Sequence, residues 1–202
     1  MQVGMEMKIA IDGPAGAGKS TIAKLLAEKL GYVYIDTGAM YRAVTLKALR
    51  AGINLDDADA LFNLVLSTHM HFLNSSPQQK LICDGKDVSE PIRSPEVTEA
   101  VSRVARHKKV REVMVKKQRE MAEKIDVVID GRDIGESVLP DADYKFYLTA
   151  DIQERARRRA KEWQTKGFKY DLAAIIKNLE ERDRMDSERE VGSLKILPES
   201  IV

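Results

Sequence analysis

The stretch Gly13-Pro14-Ala15-Gly16-Ala17-Gly18-Lys19-Ser20 constrains this chain more than any other, because it satisfies G-x-x-x-x-G-K-[ST], a pattern that works only between a strand and a helix. Lys8-Ile9-Ala10-Ile11-Asp12 ahead of it is a short apolar run of strand type, and the segment from Thr21 to Leu30 behind it carries Ile22, Leu25, Leu26 and Leu30 at helical spacing. Glycine at 13, 16 and 18 lets the backbone take positive φ and fold into a nest of inward-pointing N–H groups. The following helix N-terminus adds its own field. Gly13 through Thr21 are therefore expected to hold the phosphates of a nucleoside triphosphate, with Lys19 on the β- and γ-phosphates and the Ser20 hydroxyl on a bridging Mg2+. A glycine-rich turn without a ligand is the alternative, and the flanking strand and helix weigh against it.

The chain has 202 residues, enough for one α/β core of ordinary size and a smaller appendage. Lys and Arg number 33 against 32 Asp and Glu, a formal charge of +1, so no general basic field calls for a nucleic-acid partner. The single cysteine, Cys83, excludes an internal disulfide and fits a reducing compartment. No apolar run approaches a membrane span, and the N-terminus lacks the apolar stretch of a signal peptide. A soluble, cytoplasmic monomer with no membrane partner is expected.

Short apolar runs at Ile9–Ile11, Tyr32–Ile35, Val127–Ile129 and Lys145–Leu148 alternate with helical patterns. That alternation predicts an α/β fold around the phosphate loop, with a parallel sheet flanked by helices. Asp12, Asp36 and Asp130 each close a run before a glycine-containing turn, which places carboxylates at the carboxyl edge of the sheet, where open α/β folds bind ligands. From His69 to Pro95 the pattern turns strand-like, with Asn74-Ser75-Ser76-Pro77 and Asp84-Gly85-Lys86 as turn signals. The organisation expected is a core over 1–67 and 106–202, a small β-containing insertion over 68–105, and a helical lid over about 151–168. Ser94 and Pro95 supply an N-cap and first helical residue. A break is expected at Thr165-Lys166-Gly167 and a further helix from Asp171 to about Glu190, with Leu172, Ile175, Ile176 and Leu179 as its apolar stripe.

Arginine placement is the best clue to what receives the phosphoryl group. Arg182, Asp186 and Arg189 stand at i, i+4 and i+7, one helical face with a carboxylate between two guanidiniums. Such a row can be a solvated ion-pair face. Arg42 follows the Asp36 turn, Arg132 follows the Asp130 turn, and Arg155, Arg158 and Arg159 share a helix after the fourth strand, a distribution that solubility does not account for. An alcohol acceptor needs a base, whereas a phosphate monoester arrives as an anion and needs mainly positive charge. Many arginines and no obvious base favour the monoester. Asp130 is placed to orient the magnesium shell through water, and Asp36 is a weaker candidate for the same task.

Ile11-Asp12-Gly13-Pro14 with Gly16-Ala17-Gly18-Lys19, then Asp36-Thr37-Gly38-Ala39-Met40-Tyr41-Arg42, Asp130-Gly131-Arg132-Asp133-Ile134-Gly135 and Glu181-Arg182-Asp183 resemble the bacterial cytidylate kinases over nearly the whole chain. The resemblance implies transfer of the γ-phosphoryl of ATP, as its Mg2+ complex, to CMP or dCMP, with UMP a poorer acceptor. It implies Thr37, Ser102, Arg111 and Asp133 around the cytosine ring, Arg182 and Asp186 on the sugar hydroxyls, and Arg42, Arg132 and Arg189 on the acceptor phosphate and transition state. The lid arginines become Arg155, Arg158 and Arg159, so that Lys19, Arg132, Arg158 and Arg189 form the catalytic set. For Ser102 and Arg111 the residues alone give no reason to prefer function over a helix surface.

The chain departs from that family pattern at Met185, where relatives carry arginine, and at Thr37, where serine is common. It also stops at Ile201-Val202, where the resemblance implies a continued last strand and a C-terminal helix, so a frayed strand and weakened donor binding, or a shortened nucleotide binder with little activity, is a further expectation. Other readings are a P-loop kinase of an alcohol, such as a shikimate-type enzyme, and a GTP switch, against which the absence of [NT]-K-x-D argues. His69 and His71 form an H-x-H pair with no third ligand nearby in sequence, expected on the insertion surface. The basic run from Arg103 to Arg119, interleaved with Val104, Val110, Val113 and Val115, reads as a helix with one solvated face. Trp163 reads as a packing anchor.

Overall fold

The protein, seen in a computed structural model, is described over residues 6–75, 78–165 and 167–202. Ser76 and Pro77 of the expected turn, and Lys166 of the expected break, lie outside the described residues. The chain divides into two compact units, one of residues 1–34 and 124–202 and the other of residues 35–123. The segment 68–105 falls within the second.

The first unit is built on parallel strands. β1 (Lys8–Asp12) leads through the phosphate loop to α1 (Lys19–Leu30), and β2 (Val33–Asp36) carries the chain onward. In the second unit α2 (Thr37–Arg50) and α3 (Ala58–Leu66) precede β3 (Met70–Ser75), β4 (Gln78–Cys83) and β5 (Lys86–Asp87), then α4 (Pro95–Ala105) and α5 (Lys108–Met121). The chain returns to the first unit with β6 (Val127–Asp130), β7 (Tyr144–Tyr147), α6 (Ile152–Thr165) and α7 (Leu172–Ser187). The larger sheet has the order β2-β6-β1-β7, and β1 pairs in parallel with β6 (Ile11 opposite Asp130) and with β7 (Asp12 opposite Tyr147). Each expected strand run is thus a strand of this sheet. Val127, Val128 and Ile129 are fully buried, as a strand covered on both faces requires. Ile201 adds a single parallel bridge to Phe146 at the β7 edge.

α1 turns its alanines, rather than its large apolar residues, to the sheet. Ala23 and Ala27 are buried in a cluster with Ile9, Ile11, Tyr34 and Val128, and Leu26 is partly buried against it. Ile22, Leu25 and Leu30 are about half exposed. Small side chains let the helix backbone approach the strands closely, and this outcome overrides the stripe that spacing alone suggests. In α7 the expected stripe holds at Ile175 and Leu179, which pack with Ala15, Ala156 and Ala160, while Ile152, Trp163 and Ile176 cover that cluster.

In the second unit β3, β4 and β5 form an antiparallel sheet. The β4–β5 turn is Asp84-Gly85 with φ of 48° and 77°, the paired left-handed conformation that suits a tight hairpin. Ser94 caps α4 through Val97 N–H, with Pro95 in the first turn. The basic run is not one helix: it breaks at Arg106-His107, where the His107 ring nitrogen contacts Leu55 O at 2.8 Å and Arg103 and Arg106 both hold Asp56. Val110 and Met114 form the buried side of α5, with Val113 and Val115 only partly covered.

Candidate active site

The phosphate loop is shaped by backbone demands that only glycine meets. Gly13 has φ of 145°, and a Cβ there would lie 2.0 Å from Leu148 O; Gly16, at φ 76°, lies against the Arg155 backbone and Cβ. Gly18 is the N-cap of α1 and offers no side chain to its amides, so the positive end of the helix is left for an anion. Lys19 is buried, and its Nζ donates to Pro14 O at 2.8 Å. Burial, and next the Arg132 guanidinium, lower its pKa to about 7, against the pull of Asp130, Asp186 and Asp12. An arriving phosphate would supply the negative charge this ammonium lacks.

Asp130 ends β6 as a shared acceptor: Ser20 Oγ donates to Oδ2 at 2.9 Å and Tyr34 OH to Oδ1 at 2.6 Å. Asp12, at the end of β1, takes the amides of Ile134 (2.8 Å) and Gly135 (2.9 Å). These amides open the wide helical turn Ile134–Val138 that follows Arg132 and Asp133. Burial raises the Asp12 pKa to about 6 although both amides oppose it.

The expected arginine–carboxylate row is present in altered form. α7 ends at Ser187, so Arg189 reaches Asp186 from beyond the helix. Arg132 also hydrogen-bonds to Asp186, its Nε donating at 2.8 Å. Arg182 adds its positive charge to the same carboxylate. Burial would raise the Asp186 pKa, but Arg132, Arg189 and Arg182 together hold it below the usual carboxylate range. The same pairing keeps Arg132 firmly charged despite its burial. Asp133 is buried nearby in sequence, its carbonyl accepting Ser137 N–H.

On α6, Arg158 donates from Nε to Glu154 and places Nη1 3.4 Å from Ala17 O. Arg159 pairs with Glu162 at 3.5 Å. Arg155 is buried, with Nη1 on both Ala15 O and Asp183.

The remaining predicted residues lie in the second unit. Asp36 caps α2 by accepting Ala39 N–H at 2.8 Å, which places Thr37 in the first turn and Arg42 farther along the helix. Thr37 and Ser102 are buried. Arg111 is 2% exposed, unlike a helix-surface residue, and its guanidinium stands 5.9 Å from the centre of the Tyr41 ring, within cation–π range. His69 and His71 are exposed and line a cavity of about 400 Å³ with Met70, Lys117, Glu120 and Met121. Among the described residues no group of three His, Cys, Asp or Glu is placed to hold a metal ion.

Sequence reasoning missed Tyr34 as a partner of Asp130, Asp12 as the acceptor for the 134–135 amides, and Asp183 as the partner of Arg155. The strand-end position of Asp12 was the one available signal; Asp183 is lost in a dense run of charges.

The cytidylate kinase family model matches residues 9–202. The cytidylate kinase of Desulforamulus reducens is 60% identical over 186 residues, which is 92% of this chain and 83% of that protein. The cytidylate kinase of Bacillus pumilus is 50% identical over 196 residues, 97% of this chain and 87% of its own. Among solved structures, a shikimate kinase from Acinetobacter baumannii in complex with shikimate aligns with a TM-score of 0.44 at 13% identity, over 98% of this chain and 84% of that one, a likeness too low to bear on the acceptor. A phosphate loop anchored between β1 and α1, a buried carboxylate–arginine network and relatives matched over more than four-fifths of their length lead to one assignment: the chain belongs to the cytidylate kinase family.

Proposed function

We propose that this protein transfers the γ-phosphoryl group of ATP to CMP and dCMP, giving ADP and the diphosphate. The observation that carries the reading is the phosphate loop with Lys19 beside the Arg132–Asp186–Arg189 network, in a chain 60% identical to a cytidylate kinase. The loop amides and Lys19 hold the donor phosphates, Lys19 exchanging the Pro14 carbonyl for phosphate oxygens. Arg132 and Arg189, kept charged and aimed by Asp186, offset the repulsion between two phosphate groups brought together; no base is needed because the acceptor is already an anion. Arg158 and Arg159 on α6 supply further positive charge on the donor side. Thr37, Ser102, Arg111 and Asp133 read the cytosine ring, Arg42 holds the acceptor phosphate, and Arg182 and Asp186 hold the sugar. The segment 68–105 serves as the acceptor-binding insertion and 151–168 as the lid.

Mg2+ suits the oxygen donors Ser20 and Asp130, already joined by a hydrogen bond, with Asp130 acting through water. When bound it would neutralise charge on the donor phosphates. Among the described residues no helix is long and apolar enough to cross a membrane, and the free thiol of Cys83 is buried. We read the chain as a cytoplasmic monomer, and a formal charge of +1 gives it no general basic field for nucleic acid.

A coupled assay of ADP release with CMP, dCMP, UMP and a panel of alcohols including shikimate tests the proposal. ADP release that depends on CMP is expected; release with an alcohol and none with CMP would overturn it. Lys19→Ala should lower turnover at least about a hundredfold while CMP affinity, read by calorimetry, stays near that of the wild type.

A further inference from the structure

Arg155 is set apart from the other arginines of α6 by what it touches. Its Nε donates to Ala150 O at 3.0 Å and its Nη1 to Ala15 O at 3.1 Å and Asp183 Oδ2 at 2.6 Å. The arginine side chain is 8% exposed and that of Asp183 23%. Asp183 Oδ1 is buried with no hydrogen-bond partner among the described residues, so the carboxylate is committed to Arg155. Ala15 itself is buried in the cluster of Ala156, Ala160, Ile175 and Leu179, and a Cβ added at Gly16 would come within 3.4 Å of Arg155 Cβ and 3.5 Å of its carbonyl oxygen. The phosphate loop is therefore braced from outside by α6 and, through Asp183, by α7.

The bracing has a direct consequence for anion binding. In a planar trans peptide the C=O and the following N–H point in opposite directions. A guanidinium that holds the Ala15 carbonyl outward therefore turns the Gly16 N–H the other way, into the loop's concave side, where a phosphate oxygen would be met. Main-chain donors fixed before the ligand arrives need no reorganisation at the moment of binding.

We propose that Asp183 is a positioning residue for the donor: it fixes Arg155 on the Ala15 carbonyl and thereby sets the Gly16 amide for the phosphates of ATP. In this role Arg155 acts on the nucleotide through the main chain, which leaves Arg158 and Arg159 of the three expected lid arginines to meet it directly. The inference rests on the donor site proposed above and adds to it a residue outside the phosphate loop.

The test is calorimetric titration of ATP without magnesium into wild type, Asp183→Ala, Asp183→Asn, Arg155→Lys and the double variant Arg155→Lys/Asp183→Ala, with KM for ATP and CMP measured separately. Asp183→Ala should weaken ATP binding about tenfold, the effect of losing one charge-assisted hydrogen bond, and leave KM for CMP within about twofold of wild type. Asp183→Asn keeps an oxygen for Arg155 and should fall between; it also stands in if the alanine variant does not fold. Because the two residues act in series, the double variant should bind ATP no more weakly than the weaker single variant. Additive losses would show Arg155 meeting the nucleotide independently and overturn the proposal. So would an equal rise in KM for both substrates. A wild type that binds no ATP removes the donor site and the bracing role with it, whereas wild-type affinity retained in folded Asp183→Ala removes the bracing role alone.

Discussion

At the junction of β1 and the phosphate loop, burial and hydrogen bonding pull on the Asp12 carboxyl in opposite directions, and burial wins: its pKa rises from 3.8 to about 6 in spite of the Ile134 and Gly135 amides. A carboxyl raised on folding contributes stability that is fully present below its unfolded value and lost as pH rises through its folded one. The advantage of wild type over Asp12→Asn should therefore shrink by up to about 3 kcal/mol between pH 4 and pH 6 and stay flat above. Urea unfolding of both proteins across that range measures it; a pH-independent difference would refute the account. This role is only faintly legible in sequence, because the amides lie 122 and 123 residues away and the strand-end position of Asp12 says no more than that a carboxylate stands at the sheet edge. The placement of Lys19 is legible for the opposite reason, since its bond to Pro14 O closes within a single loop. The i, i+4, i+7 row of Arg182, Asp186 and Arg189 was only half legible: spacing finds the carboxylate between cations, but helix termination at Ser187 and the arrival of Arg132 at Asp186 come from the fold.

Elements show the same division between local and distant causes. The strands of the larger sheet were visible as apolar runs, and α4 as a Ser-Pro start, because a buried strand or an N-cap is encoded where it occurs. The buried face of α1 was not visible, since the choice of Ala23 and Ala27 over Ile22 and Leu25 depends on how closely the sheet approaches. α2 joins an element to the acceptor residues: Asp36 caps it through the Ala39 amide and so fixes the helix that carries Thr37 and Arg42. Asp36→Ala should destabilise the protein by about 1 kcal/mol, whereas Asp36→Asn, an equally good cap, should cost only a few tenths. Denaturant unfolding reads the first effect. Turnover separates capping from a place in the magnesium shell: asparagine should retain near wild-type rates, and a loss as large as that of alanine would return Asp36 to the metal.

At the scale of the whole molecule, near-balance of charge governs behaviour in solution more than any single ion pair. With a formal charge of +1 and an isoelectric point near 7.8, the chain has little net repulsion between copies at neutral pH. Solubility should pass through a minimum near pH 7.8 and rise on both sides, as precipitation by polyethylene glycol across pH would show; a monotonic curve would contradict this. The grouping of residues 35–123 into one compact unit is not legible in sequence, because that stretch includes helices whose patterns look like those of the core, and only packing groups them. The sequence has one tryptophan, Trp163, and it covers the α6–α7 cluster that takes in Ala15 of the phosphate loop. The fluorescence of that indole is thus an unlabelled optical reporter on the surroundings of the donor loop, and nucleotide arrival can be watched in it without adding a dye.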